Sequence, residues 1–316
     1  MSRSVAVLTA FVVFGSGSVA LAAGPTYVSQ GGLGVLARDG KTRYVAVPTG
    51  NGTAIERVRV NGGAVSSWAD LRGSWGIPAP TYSPTGGEGL TRDGKRLIVA
   101  LSFAGSPTRF EILDTRLMRV VDRFALNGDF AYDALSPDSS TLYLVQHVDA
   151  NNVNRYIVRA YDLQSHTLRP GRIADKTQLG WVMEGSALTR ATSANGRWVY
   201  TLYQRPGGYP FIHALDTVNG IAHCTGLPWH GNQAPMVNIR LTLGGDGRTL
   251  AVHWKSGRPW LALNTASWRL THVQPNALPW RWLLVGVGGG AAALLALGAV
   301  VVARRRQPRE PVPVAL

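Results

Sequence analysis

The chain has 316 residues, of which 45% are apolar and 16% charged, with 37 Gly and 18 Pro. This balance excludes a disordered chain, which is poor in apolar residues and rich in charge. It also excludes a helical bundle, which so much Gly and Pro would interrupt. The net charge of +14 comes mainly from arginine, 28 Arg against 4 Lys. GC-rich coding alone produces such a skew, but a basic surface of this size also attracts anionic polymers or lipid headgroups.

The N-terminus reads Met1-Ser2-Arg3, an apolar run from Val5 to Phe14, then small residues ending in Ala20-Leu21-Ala22-Ala23. A basic start, a short apolar stretch and an Ala-x-Ala site predict a secretory signal peptide over residues 1–23. The helix-weakening Gly15-Ser16-Gly17-Ser18 argues against a retained anchor. Cys224 is the single cysteine. An exported chain without an intramolecular disulfide fits a bacterial source better than a small eukaryotic ectodomain.

Residues 24–278 are expected to form one ectodomain built from repeats. A lead-in, a tight polar turn and an alternating strand recur as LARDGKTRYVAV, LTRDGKRLIVAL, LSPDSSTLYLVQ, TSANGRWVYTLY and GGDGRTLAVHW. The turn residues Asp39, Asp93, Asp138, Asn195 and Asp246 are spaced 54, 45, 57 and 51 residues apart. Asp-Gly and Asn-Gly accept positive φ and close tight hairpins. A second strand-and-turn phrase follows each first one, ending at Asn61, Asp114, Asp162, Asp216 and Asn264, at offsets of 22, 21, 24, 21 and 18. Each unit therefore holds four antiparallel strands. Repeated around an axis, such units make an all-β propeller. Five four-stranded blades are predicted, with room for a sixth in Trp68–Gly89 or Arg172–Ser186. No N-terminal strand is evident for closing the last blade.

Leu135-Ser136-Pro137-Asp138 with Thr141-Leu142-Tyr143-Leu144-Val145 resembles the turn and strand of bacterial extracytoplasmic YVTN-like and WD40-like propellers. The resemblance spans the ectodomain and implies a fold, not an activity. The Trp-Asp dipeptide of true WD40 blades is absent. Lactonases of the six-phosphogluconolactonase type share this general repeat, which keeps a lactonase alternative open with no active residue assigned.

Leu283–Ala303 is an uncharged run of 21 residues, long enough to cross a bilayer as a helix. Trp280 and Trp282 flank it on one side and Arg304-Arg305-Arg306 on the other. This is the pattern of a transmembrane helix with its basic end in the cytoplasm. The expectation is a single-pass type I protein with its ectodomain outside, a transmembrane segment over 279–303 and a short tail over 304–316. Gly286 and Gly290 form a GxxxG pair within the span.

Five residues before each first turn, equivalent places at the channel are predicted for Gly34, Glu88, Asp133, Arg190 and either Arg240 or Leu241. Two acids with one or two arginines could hold a polar ligand, or Glu88 and Asp133 could work as the carboxylate pair of a glycosidase. The favoured reading of these positions is a water-filled channel whose charges pair across it. His147 and His253 end the second strands of their blades and join Glu88, Asp133, Arg190 and Arg240 as ligand-binding candidates. His223, Cys224 and His230 lack a metal spacing. Asp149–Asn154 lacks the Gly and distal Glu of a calcium loop and reads as a polar turn. No nucleophile elbow, P-loop or dinucleotide fingerprint occurs, and no Trp repeats at a fixed place as a quinone-cofactor propeller would need. No metal, cofactor or nucleic acid is expected. The leading reading is a non-catalytic binding or scaffold module for a protein or an anionic cell-envelope partner. The alternative is a membrane-tethered lactonase or glycosidase.

Overall fold

The computed structural model describes residues 27–79, 87–101, 107–176, 182–205 and 207–273. The expected signal peptide over 1–23 and the expected transmembrane segment Leu283–Ala303 lie outside them. Among the described residues, no helix is long and apolar enough to cross a membrane. A first strand, β1 (Tyr27–Ser29), precedes five antiparallel sheets. Sheet 1 holds β2 (Val35–Leu36), β3 (Thr42–Thr49), β4 (Gly52–Arg59) and β5 (Val65–Arg72). Sheet 2 holds β6 (Trp75–Ala79), β7 (Arg96–Leu101), β8 (Thr108–Asp114) and β9 (Arg119–Leu126). Sheet 3 holds β10 (Asp129–Leu135), β11 (Thr141–His147), β12 (Arg155–Asp162) and β13 (Thr167–Leu168), with β14 (Met183–Glu184) on the free end of β12. Sheet 4 holds β15 (Ser186–Thr192), β16 (Trp198–Gln204), β17 (Phe211–Asp216) and β18 (Ile221–Gly226). Sheet 5 holds β19 (Ile239–Leu243), β20 (Thr249–Trp254), β21 (Pro259–Asn264) and β22 (Leu270–His272).

The repeated turns explain why the strands start where they do. In each first turn Asp39, Asp93, Asp138, Asn195 or Asp246 accepts the backbone N–H two residues on. The residue between takes positive φ: Gly40, Gly94, Ser139, Gly196 and Gly247. In the second turns Asp114, Asp162, Asp216 and Asn264 each accept the N–H groups two and three residues on. Those turns close on Met118, His166, Gly220 and Trp268, again at positive φ. Thr115, Thr217 and Thr265 donate their hydroxyls to the carbonyls of Gly94, Gly196 and Gly247. First and second turns of one sheet are thereby tied together at the same end.

The sheets stack face to face. Alternation along a strand sends successive side chains to opposite neighbours: Leu97 and Val99 of β7 face sheet 1, Ile98 and Ala100 face sheet 3. Four apolar clusters among the described residues join sheets 1 with 2, 2 with 3, 3 with 4 and 4 with 5. Consecutive four-stranded sheets whose first strands meet inside form a β-propeller arrangement. The described residues of Trp68–Gly89 and Arg172–Ser186 extend sheets 1, 2 and 3, and neither makes a sixth sheet of its own. The N-terminal strand is used differently from a closing strand. β1 adds to the edge of β6, pairing Tyr27 with Ala79 and Ser29 with Ile77. β6 itself covers only one end of β7, and the other end is bridged by Leu90 to Leu97.

Candidate functional site

Three of the predicted channel residues meet in one ionic cluster. Arg190, on β15, places its Nη2 2.6 Å from Asp133 Oδ1 and its Nη1 2.8 Å from Glu88 Oε2. The same Nη1 donates to the Asp133 carbonyl, and Nε donates to Thr201 Oγ1 at 2.9 Å. Local backbone positions both carboxylates. The register of β10 on β11 shifts between Tyr132 and Ala134, so Asp133 sits on a bulge that re-aims its side chain. Glu88 precedes Gly89, which takes φ +88° and whose added Cβ would stand 2.6 Å from the Ile98 carbonyl. The side chains of Arg190 and Asp133 are each 2% exposed, that of Glu88 24%.

Burial works against the charge on Arg190, yet Glu88 and Asp133 outweigh it and hold its pKa above the ordinary arginine value. Burial lifts Glu88 above the usual carboxylate range, with the guanidinium opposing. Tyr132, buried beside them, is pushed up well beyond a free phenol, first by desolvation and then by the Glu88 charge. Two carboxyl groups thus share one guanidinium. Above the cluster lies a mouth of about 280 Å³. Arg38 and Arg92, from the first turns of sheets 1 and 2, both donate to the Ala194 carbonyl of sheet 4, at 3.3 and 2.7 Å. Burial, and then the like charge of Arg92, lowers the pKa of Arg38.

The other candidates stand elsewhere. Gly34 carries no charge to the channel; its backbone is pressed on sheet 1, where an added Cβ would lie 1.9 Å from the Tyr44 carbonyl. Arg240 donates to the carbonyls of Val237 and Ile239, and Leu241 is buried in the cluster between sheets 4 and 5. His147 bonds the Val153 carbonyl, and His253 contacts Thr242 Oγ1 and the Trp254 carbonyl. Both histidines sit at the ends of β11 and β20 away from the turn face that carries the mouth. Asp149 folds the polar turn onto itself, accepting N–H groups from Asn151 and Asn152 and pairing with Arg155. Among the described residues, no group of three His, Cys, Asp or Glu side chains could hold a metal ion.

A larger cleft, about 840 Å³, opens on the same turn face between sheets 3, 4 and 5. Its wall is aromatic: the His223 ring lies 4.2 Å from Trp268, which meets Trp198 edge-on at 5.6 Å. Asp175 holds the arrangement, with Oδ2 3.1 Å from His223 Nδ1 and accepting the Cys224 N–H at 2.7 Å. Arg197 is clamped by Asp216 and lies over Trp198. Neither Trp268 nor Asp175 stands out in the amino-acid sequence, where His223 fits a structural or surface role. The signal that could have found them is the second turn of sheet 5, whose position for a left-handed residue is filled by a tryptophan.

Chemically, both carboxylates bind one guanidinium: Asp133 is sealed, with its Oδ2 unpartnered among the described residues, and Glu88 opens to the mouth.

No protein-family model matches the chain, and no curated protein does. Among solved structures, the Swd1 (Cps50) propeller domain of Myceliophteria thermophila is similar over 80% of this chain and 71% of its own, at 12% identity and a TM-score of 0.46. Hydrazine synthase of Kuenenia stuttgartiensis is similar over 80% of both chains, at 14% identity and 0.43. TolB of Acinetobacter baumannii is similar over 75% of this chain and 54% of its own, at 17% identity and 0.42. At these values the likenesses carry no argument about function.

Proposed function

We propose that this chain is a non-catalytic binding module, exported by residues 1–23 and tethered by Leu283–Ala303 as a single-pass type I protein of a bacterial envelope. Its contact surface is the propeller face formed by the first and second turns. The observation that carries this reading is the Arg190 cluster: the two acids that could have done hydrolytic work neutralise a buried arginine instead. The partner is a protein or an anionic envelope component, for which the rim arginines Arg38 and Arg92 supply complementary charge.

A photo-cross-linking residue placed at Lys95, on the turn face, should give a discrete adduct on intact cells. The same residue at Lys255, on the opposite face, should give none, and Arg92→Glu should suppress the first adduct. Equal labelling from both faces would overturn the reading. So would hydrolysis of a lactone or glycoside panel by the purified chain that is lost in Glu88→Gln.

A further inference from the structure

We infer that the 840 Å³ cleft between sheets 3, 4 and 5 binds a negatively charged saccharide, its ring against the Trp268 and Trp198 wall and its carboxylate or phosphate on Arg172 and Lys176. The inference rests on the binding-module reading above and deepens it by naming a ligand class and a second site on the same face.

Three observations carry it. The first is the shape: a concave, largely apolar surface with a few polar groups is the general form of a small-ligand site. The second is that the aromatic wall is fixed in advance. The turn begun by Asn264 holds Trp268 at φ +58°, and Asp175 anchors His223 against it. A side chain already ordered loses little entropy when a ligand arrives. The third is charge. Asp175 is 4% exposed and engaged by His223 and the Cys224 N–H. Asp216 is 1% exposed and engaged by Arg197. Asp175, the acid among the lining residues, and Asp216 behind Arg197 are thus turned inward, while Arg172 and Lys176 line the rim, both exposed. An arriving anion therefore meets a cationic rim. Arginine in particular matches the planar geometry of carboxylate and phosphate.

Aromatic faces alone would also take a nucleobase. Export by residues 1–23 makes the saccharide the fitting choice, because an envelope presents uronate- and phosphate-bearing polymers to this face. Basic side chains continue across it at Arg92, Lys95, Arg248 and Arg269, so a polymer can be followed beyond the cleft.

The test uses the full-length purified chain and tryptophan fluorescence. The probes are a glucuronate-containing oligosaccharide, a sugar-phosphate oligomer, the carboxyl-reduced neutral oligosaccharide, and a ribo-oligonucleotide of equal charge. Saturable binding of a charged saccharide is expected, at least tenfold tighter than the neutral one. Lys176→Glu should weaken it at least tenfold and Lys255→Glu should not. Trp268→Gly, which suits the left-handed turn, should abolish it while the chain still unfolds cooperatively, at a midpoint lowered by the lost packing. Preference between the uronate and phosphate probes identifies the source. Equal binding of the neutral oligosaccharide, indifference to Lys176→Glu, or tighter binding of the oligonucleotide would overturn the inference. Failure of every saccharide probe, with face-specific cross-linking preserved, would overturn the inference and leave the binding-module reading standing.

Discussion

Arg190 shows how much one residue can hold. Its side chain is 2% exposed, and it answers two carboxylates and a threonine hydroxyl from three different elements. Removing one partner of a buried ion pair leaves the other charge unpaired and typically costs about 3–5 kcal/mol. Arg190→Leu is therefore expected to lower the unfolding free energy measured by urea titration by that order, whereas Glu88→Gln, at the solvated end, should cost clearly less. Equal costs would mean that the cluster depends on Glu88 as heavily as on Arg190 itself. Cys224 makes a second residue-scale case. Burial, then the nearby Asp175 charge, pushes its thiol up to about 12, and the thiolate is the reactive form. A disulfide reagent at pH 8 should leave the native chain unlabelled and modify one thiol only after denaturation. Gly34 and Gly40 separate two reasons for a glycine. Both have positive φ, but only Gly34 faces a backbone carbonyl at 1.9 Å. Gly40→Ala should cost about 1–2 kcal/mol from the left-handed conformation alone, and Gly34→Ala substantially more in the same unfolding assay.

The turn is the element on which the architecture depends. Hydrogen bonds given to the carboxylates hold Asp39, Asp93, Asp114 and Asp138 below the usual aspartate range; for Asp138 the largest share comes from the Ser136 hydroxyl, then the Ser140 N–H. A pKa lowered in the folded state stabilises above the unfolded value, near pH 4, and that stabilisation is lost as pH falls through the folded values. The chain should accordingly lose stability below about pH 4, as followed by fluorescence across a pH series. Asn195 and Asn264 occupy equivalent places and make the same acceptor contacts without an ionisable group. Asp138→Asn should thus preserve the turn at neutral pH and flatten part of the acid dependence. An unchanged acid profile would remove the turn aspartates from the account. These turns were legible in the sequence because their residue types are dictated locally, by positive φ and by short acceptor side chains.

At the scale of the molecule, no sheet buries its own faces. Phe110 is fully buried in the cluster between sheets 2 and 3, stacked on Phe124. Phe110→Ala should cost about 3–5 kcal/mol. Ending the chain after sheet 4 would uncover Leu188, Tyr200, Leu202 and Ile212, which sheet 5 covers. Repeat architectures depend on such neighbour interfaces. The truncated chain is expected to aggregate in size-exclusion chromatography, where the full-length protein elutes as a defined species. A monomeric, cooperatively melting truncation would show that sheets 1–4 are sufficient.

The recurring four-stranded unit and the places of the turns were legible in the sequence, because hairpin turns and strand alternation are local rules with a fixed period; the fifth strands that β1 and β14 add, and the lack of a sixth sheet among the described residues, were not. The alignment on the first turns also set Glu88, Asp133 and Arg190 at equivalent inner positions. That the two acids both close on Arg190, and that Gly34 and Arg240 do not join them, depends on a bulge at Asp133 and on close backbone approaches in sheet 1, which no pattern of residue types announces. The destination of β1 and the aromatic cleft were likewise hidden. Asp175, His223 and Trp268 come from three sheets' worth of chain and meet only because those sheets stack, so their chemistry is a product of tertiary packing and leaves no spacing in the sequence.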